Sequence, residues 1–104
     1  MGKPKAGILM GSESDLAKIN FHFPTVRPNT KGDWPSVDPS AYLDPTAQLI
    51  GNVRGGEKVF VGPNAVIRAD EPGTDGKVLP IMIEAESNIQ DGVLIHSIGG
   101  RRYV

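Results

Sequence analysis

Every sixth residue from Val37 onward falls in one series: Val37, Leu43, Leu49, Gly55, Val61 and Ile67. A companion series four residues after each of the first five reads Ala41, Ala47, Val53, Val59 and Ala65. Branched aliphatics fill every place in the first series except Gly55, and the companions are all Ala or Val. The period resumes at Ile83, Ile89 and Ile95, with Ser87 and Val93 as companions. A six-residue period matches neither the 3.6-residue helix nor the two-residue alternation of a simple strand. It fits short extended segments joined by corners, each sending one bulky and one small side chain inward. That is the hexapeptide repeat of a parallel β-helix, in which three segments close a turn of about 18 residues.

The predicted corners fall at Asp38-Pro39, Asp44-Pro45, Ile50-Gly51 and Val61-Gly62-Pro63, where the residue types favour turns. Gly55 stands where a bulky aliphatic is wanted, so a small void or dented corner is expected there, costing about 2–4 kcal/mol relative to Ile. Residues 68–80 are out of phase with the repeat and hold two Gly, two Pro and five charged residues. They read as an excursion from the coil, and loops held on rigid scaffolds often carry function.

The chain has 104 residues, which sets an upper limit of one domain with a modest core. Its 13 Gly and 9 Pro favour a turn-rich β protein over a helical bundle. The formal charge of −1, with no basic patch, makes nucleic acid an unexpected partner. The absence of cysteine excludes disulfides and thiolate metal sites. No apolar run approaches membrane-spanning length, so the expectation is a cytoplasmic protein without a membrane partner.

The N-terminal part differs from the coil. Residues 1–26 are expected to form an irregular extension, and residues 27–104 the partial β-helix domain, with the coil proper starting at Val37. Within the extension, Ala6 to Met10 reads as a short strand, Gly11 to Asp15 as a turn, and Ser12 with Asp15 as a capping pair before a short helix. Gly7 to Ile19, through Met10-Gly11-Ser12-Glu13-Ser14-Asp15, resembles the start of the aminoimidazole-ribonucleotide carboxylase/mutase family. No further βα units follow, so the reading taken is an N-terminal extension that packs against something or stays mobile. Residues 21–36, with Phe21, Phe23, Trp34 and three prolines, read as an extended linker. His22, between two phenylalanines and next to the turn at Pro24, reads as a packed or solvent-facing histidine and not as a ligand.

The chemistry-bearing residues flank the excursion: Arg68, Asp70 and Glu71 before it, and Gln90, Asp91 and His96 after it. If Ile67 and Ile95 stack across the excised loop, Arg68 and His96 emerge on the same edge, one turn apart. An imidazole, carboxylates and an amide converging at one edge suit a hydrolytic metal centre.

Three segments carry a resemblance: residues 37–42 (Val-Asp-Pro-Ser-Ala-Tyr), 61–71 (Val-Gly-Pro-Asn-Ala-Val-Ile-Arg-Ala-Asp-Glu) and 88–96 (Asn-Ile-Gln-Asp-Gly-Val-Leu-Ile-His). Over residues 27–100 the chain resembles the gamma-class carbonic anhydrase family. The resemblance implies a left-handed coil and a homotrimer with Zn2+ (or Fe2+ or Co2+) at the subunit interfaces. It implies a carbon–oxygen lyase activity, the reversible hydration of CO2 to bicarbonate and a proton. On that likeness His96 matches a metal-binding histidine, and Gln90 the residue that hydrogen-bonds the metal-bound hydroxide or positions CO2. Glu71 matches a carboxylate proposed for proton transfer. Arg68 and Asp70 match an inter-subunit salt-bridge pair, and Asp91 their buried acidic partner.

A catalytic zinc takes three protein ligands, and the family supplies two further histidines about 20–40 residues beyond the first. The sequence in hand reaches Val104 before them, so the expectation is a truncated form with an incomplete metal site. The family's third-turn glutamate has no match either; Gly99 falls in its place. A second class of function therefore stands beside the enzyme: a non-catalytic carbonic-anhydrase-like scaffold or assembly module. A hexapeptide acyltransferase is a third class, disfavoured by the motifs at residues 68–71 and 90–96.

Overall fold

In the computed structural model, residues 25–99 are described. They contain ten short strands and no helix. The strands are β1 (Thr25–Arg27), β2 (Ser36–Val37), β3 (Tyr42–Leu43), β4 (Gln48–Gly51), β5 (Val53–Gly55), β6 (Phe60–Val61), β7 (Val66–Ala69), β8 (Ile81–Ile83), β9 (Asn88–Ile89) and β10 (Leu94–His96). All pairings are parallel, and they build three sheets in the orders β1-β4-β7-β10, β2-β5-β8 and β3-β6-β9. Consecutive strands enter different sheets in rotation. The chain is thus a three-sided parallel β-helix, as its six-residue period predicts.

The register follows the two series. Val37 lies beside Gly55, Leu43 beside Val61, and Leu49 beside Ile67. Across the excursion, Gly55 lies beside Ile83, Val61 beside Ile89, and Ile67 beside Ile95. The inward aliphatics and the companions Ala41, Ala47, Val53, Val59 and Ala65 are all buried and form one core. Ile83 is buried as well, while Ile89 and Ile95 are partly covered and pack on the same core. Burial of these apolar side chains is the main favourable contribution to the fold, roughly 1.5–3 kcal/mol for each large one.

The corners explain why a small residue follows four places after a large one. The companion N–H turns back to the carbonyl three residues earlier: Ala41 to Asp38, Ala47 to Asp44, Ala65 to Gly62, Ser87 to Glu84 and Val93 to Gln90. Side chains lock successive turns together. The Ser40 hydroxyl accepts the Lys58 N–H at 2.9 Å, and the Thr46 hydroxyl accepts the Asn64 N–H at 2.8 Å. Lys58 and Asn64 have φ of 54° and 61°, so these bonds hold two non-glycine residues in left-handed backbone.

Three expectations are corrected. The coil begins before Val37, because β1 pairs with β4, with Val26 beside Leu49. Thr25 and Gln48 are 23 positions apart, not 18, so this strand is out of phase with the series. The excursion is shorter than expected: Arg68 and Ala69 remain on β7, beside Ile50 and Gly51, and the chain leaves the coil at Asp70. Gly55 leaves no interior void, and the dent expected there is an open depression of about 320 Å³ at the surface, lined by Gly55, Gly56 and residues 82–85. A Cβ built on it would sit 3.3 Å from Val37 Cγ1, so the Val37 side chain fills the place. The strand, turn and helix expected in residues 1–24, together with His22, lie outside the described residues.

Candidate functional site

The sheet that carries β7 and β10 builds the site. Its register sets His96 directly beside Arg68, just past the inward pair Ile67 and Ile95. Two residues beyond Arg68 the chain turns off the coil, and the first two residues of the excursion bring their carboxylates to the imidazole. His96 Nε2 is 3.6 Å from Asp70 Oδ1 and 3.8 Å from Glu71 Oε1. Arg68 Nε lies 3.3 Å from the same Asp70 oxygen. The Glu71 carboxylate also accepts the Gly99 N–H at 3.1 Å. A cation on one side of Asp70 and an imidazole on the other hold that carboxylate at the root of the loop. The Arg68–Asp70 pair is solvent-exposed enough to contribute little stability, about 0–1 kcal/mol.

His96 Nε2 is buried and has no hydrogen-bond partner. A buried, unsatisfied ring nitrogen is uncommon, because removing it from water without a partner costs roughly 1–3 kcal/mol. Its nearest charged neighbours are the Asp70 and Glu71 carboxylates, just beyond hydrogen-bond distance. The nitrogen suits one place in the coordination of a divalent ion, whose usual donors are imidazole nitrogen and carboxylate oxygen. It does not make a complete centre. Among the described residues no group of three or more His, Cys, Asp or Glu side chains is arranged to hold a metal ion.

Of the expected residues, Arg68, Asp70, Glu71 and His96 come together. Gln90 and Asp91 do not join them. They lie on the corner after β9, a full segment before His96 along the coil, and both are exposed. The Asp91 carboxylate lies over Gly62, where a Cβ would come within 2.7 Å of Asp91 Oδ1. Two further residues matter that their sequence context did not reveal, the buried amides Asn29 and Asn52. Asn29 Nδ2 donates to the Ala69 carbonyl and Asn52 Nδ2 to the Val78 carbonyl, both at 3.0 Å. An asparagine in a turn-rich stretch gives no sign that it will be covered. Between residues 73–79 of the excursion and Gly99 lies a depression of about 240 Å³, lined by Thr74, Asp75, Lys77 and Leu79.

Three rotating parallel sheets with a six-residue period define a hexapeptide-type parallel β-helix protein. No family model matches the chain, and no solved structure matches it. Among curated proteins it is 40% identical, over 96 residues, to a carbonic anhydrase of Methanosarcina thermophila; the match covers 85% of this chain and 36% of that protein. It is 41% identical over 66 residues to the carnitine operon protein CaiE of a Proteus species, covering 64% of this chain and 30% of the relative. It is 42% identical over 62 residues to CaiE of Escherichia coli, covering 60% of this chain and 28% of the relative. The likeness to gamma-class carbonic anhydrases read from the motifs therefore holds, and the chain is homologous to them. It spans about a third of the length of the curated relatives it matches. No helix among the described residues is long and apolar enough to cross a membrane.

Proposed function

We propose that this chain is a gamma-type carbonic anhydrase module, left-handed in its coil, that contributes part of a metal-dependent CO2-hydrating site. The observation that carries the reading is the buried Nε2 of His96, without a hydrogen bond and flanked by Asp70 and Glu71, in a chain homologous to a carbonic anhydrase. His96 would be one ligand of a zinc (or iron, or cobalt) ion. The remaining ligands would come from a second subunit of a homotrimer or from residues other than those described. A bound divalent metal supplies acidification of water toward neutral pH.

The residues of this chain have separate tasks. Asp70, paired with Arg68, sets a negative charge beside Nε2 itself, on the side where a divalent cation would be held. Glu71 is half-exposed and within reach of both the site and solvent, so it takes up a proton released near His96 and passes it to buffer. Gln90, exposed on the preceding corner, orients CO2 from a neighbouring subunit's side of the interface. Asp91, with Arg68 and Asp70, contributes to the contact between subunits.

The test is metal content and oligomer mass of the purified, chelator-treated and zinc-reloaded chain, followed by a stopped-flow CO2-hydration assay. One ion per subunit in a trimer, lost in His96→Ala, supports the reading. A folded assembly that binds no metal overturns it in favour of a non-catalytic scaffold. That second reading has its own support in the single imidazole found among the described residues.

A further inference from the structure

The excursion that carries Asp70 and Glu71 leaves the coil at Ala69, and the Ala69 carbonyl is gripped from two sides. It accepts the Asn52 backbone N–H at 3.0 Å and the Asn29 side-chain amide at 3.0 Å. Asn29 is only 7% exposed, and its amide is fully used. Nδ2 also donates to Asp33 Oδ2 at 3.0 Å, while Oδ1 accepts the backbone N–H groups of Lys31 and Asp33 at 2.9 and 3.0 Å. The turn of residues 29–33 is therefore folded around one amide whose remaining proton points at the root of the site loop.

Gly51 makes this grip feasible. Its φ is +81°, and a Cβ there would collide with the Ala69 carbonyl and approach Asn29 Nδ2 to 3.0 Å. A glycine in left-handed backbone thus clears the space through which Asn29 reaches across the sheet. Asn52 holds the other end of the excursion through the Val78 carbonyl, and its own Oδ1 accepts from Arg54 Nε. Both ends of the loop are tied to buried asparagines.

We infer that Asn29 is a positioning residue for the Asp70–Glu71 pair: by fixing Ala69 it sets where the two carboxylates stand relative to His96. The proposal rests on the carbonic anhydrase reading only for what those carboxylates do. Neither the stability of the inward series nor the strand register requires this bond, since the Ala69 carbonyl keeps its backbone donor without it. A purely structural asparagine would affect the whole coil. A positioning one affects the few residues that depend on Ala69.

The test uses the amide spectrum of the 15N-labelled full chain without metal. The Gly99 N–H reports directly on Glu71, because it donates to Glu71 Oε1. Glu71→Ala gives the position of the Gly99 resonance when that bond is absent. Asn29→Asp keeps the acceptor oxygen of the turn but removes the donor and sets a carboxylate against the Ala69 carbonyl. Asn29→Ser keeps a small polar group that does not reach Ala69. The expected result in both is a shift of the Gly99 resonance toward its Glu71→Ala position, with the amides of β3 and β6 unmoved. A folded variant with the Gly99 resonance in place, or with equal shifts over all strands, overturns the proposal. Loss of the fold in both variants overturns it too, since Asn29 would then be holding the coil itself. The measurement needs neither metal nor CO2, so its failure is distinct from failure of CO2 hydration.

Discussion

Val37 occupies the interior space beside Gly55, its Cγ1 3.3 Å from where a Gly55 Cβ would stand. The two positions are partners in adjacent turns, and the larger side chain serves both. Replacing Gly55 by Ile therefore overfills the core, with an expected loss of about 1–3 kcal/mol. Chemical denaturation checks this. The compensated double variant Val37→Ala with Gly55→Val should recover part of the loss, and independent, additive effects would show that the two sites do not share one space.

Gly51→Ala tests the crossing at Ala69. The left-handed backbone alone disfavours alanine by roughly 1–2 kcal/mol. The collision with the Ala69 carbonyl adds to it. A fall in the urea midpoint larger than that of Gly92→Ala is expected, because Gly92 is also left-handed, at φ 70°, but has open space around it.

The acid limb of stability should depend on Asp44. The Thr46 hydroxyl, then the Thr46 backbone N–H, hold its carboxyl below the usual range. A lowered folded-state pKa contributes stability that is present above the unfolded value, near pH 4, and is lost as pH falls through the folded one. Thr46→Val removes the side-chain bond, so the melting temperature of that variant should fall less steeply below pH 4 than that of the parent chain. Parallel acid limbs would exclude this pair as a contributor.

Glu71→Gln separates proton transfer from metal binding. The amide oxygen can still accept the Gly99 N–H, so the loop should keep its place. In zinc-loaded, assembled protein the expected effect is a drop of about 10²-fold in CO2 hydration at low buffer, the lower end of what positioned acid–base groups contribute. Activity should return at high imidazole concentration. No dependence on buffer would leave Glu71 as a loop anchor.

Much of the coil is visible in the order of its residues, because inward positions of a hexapeptide repeat admit few residue types. Leu49, Ile67, Val59 and Ala65 are each at most 1% exposed, where the two series place them. What escapes the reading is what depends on neighbours in other turns. β1 is hidden because its offset to β4 is 23 residues, so Val26 belongs to no series. Gly55 reads as a defect until Val37 is seen filling it. Asn29 and Asn52 look like loop residues until the excursion folds over them. At the site, the stacking of Ile67 on Ile95 was enough to bring His96 beside Arg68. Gln90 and Asp91 sit close in sequence yet around a corner of the triangle, where adjacency along the chain does not give adjacency in space.

A full turn that includes the excursion spans 28 positions, as from Val53 to Ile81, where the turns from β2 to β5, β3 to β6 and β4 to β7 take 18. For a flexible closure that difference costs only roughly 0.4 kcal/mol of chain entropy, since the penalty grows with the logarithm of length. With both ends of the loop tied by asparagine side chains, the segment between them can change in length and composition while the stack above and below stays in register. The corner after β7 is thus the place where this solenoid can acquire new chemistry at little thermodynamic risk.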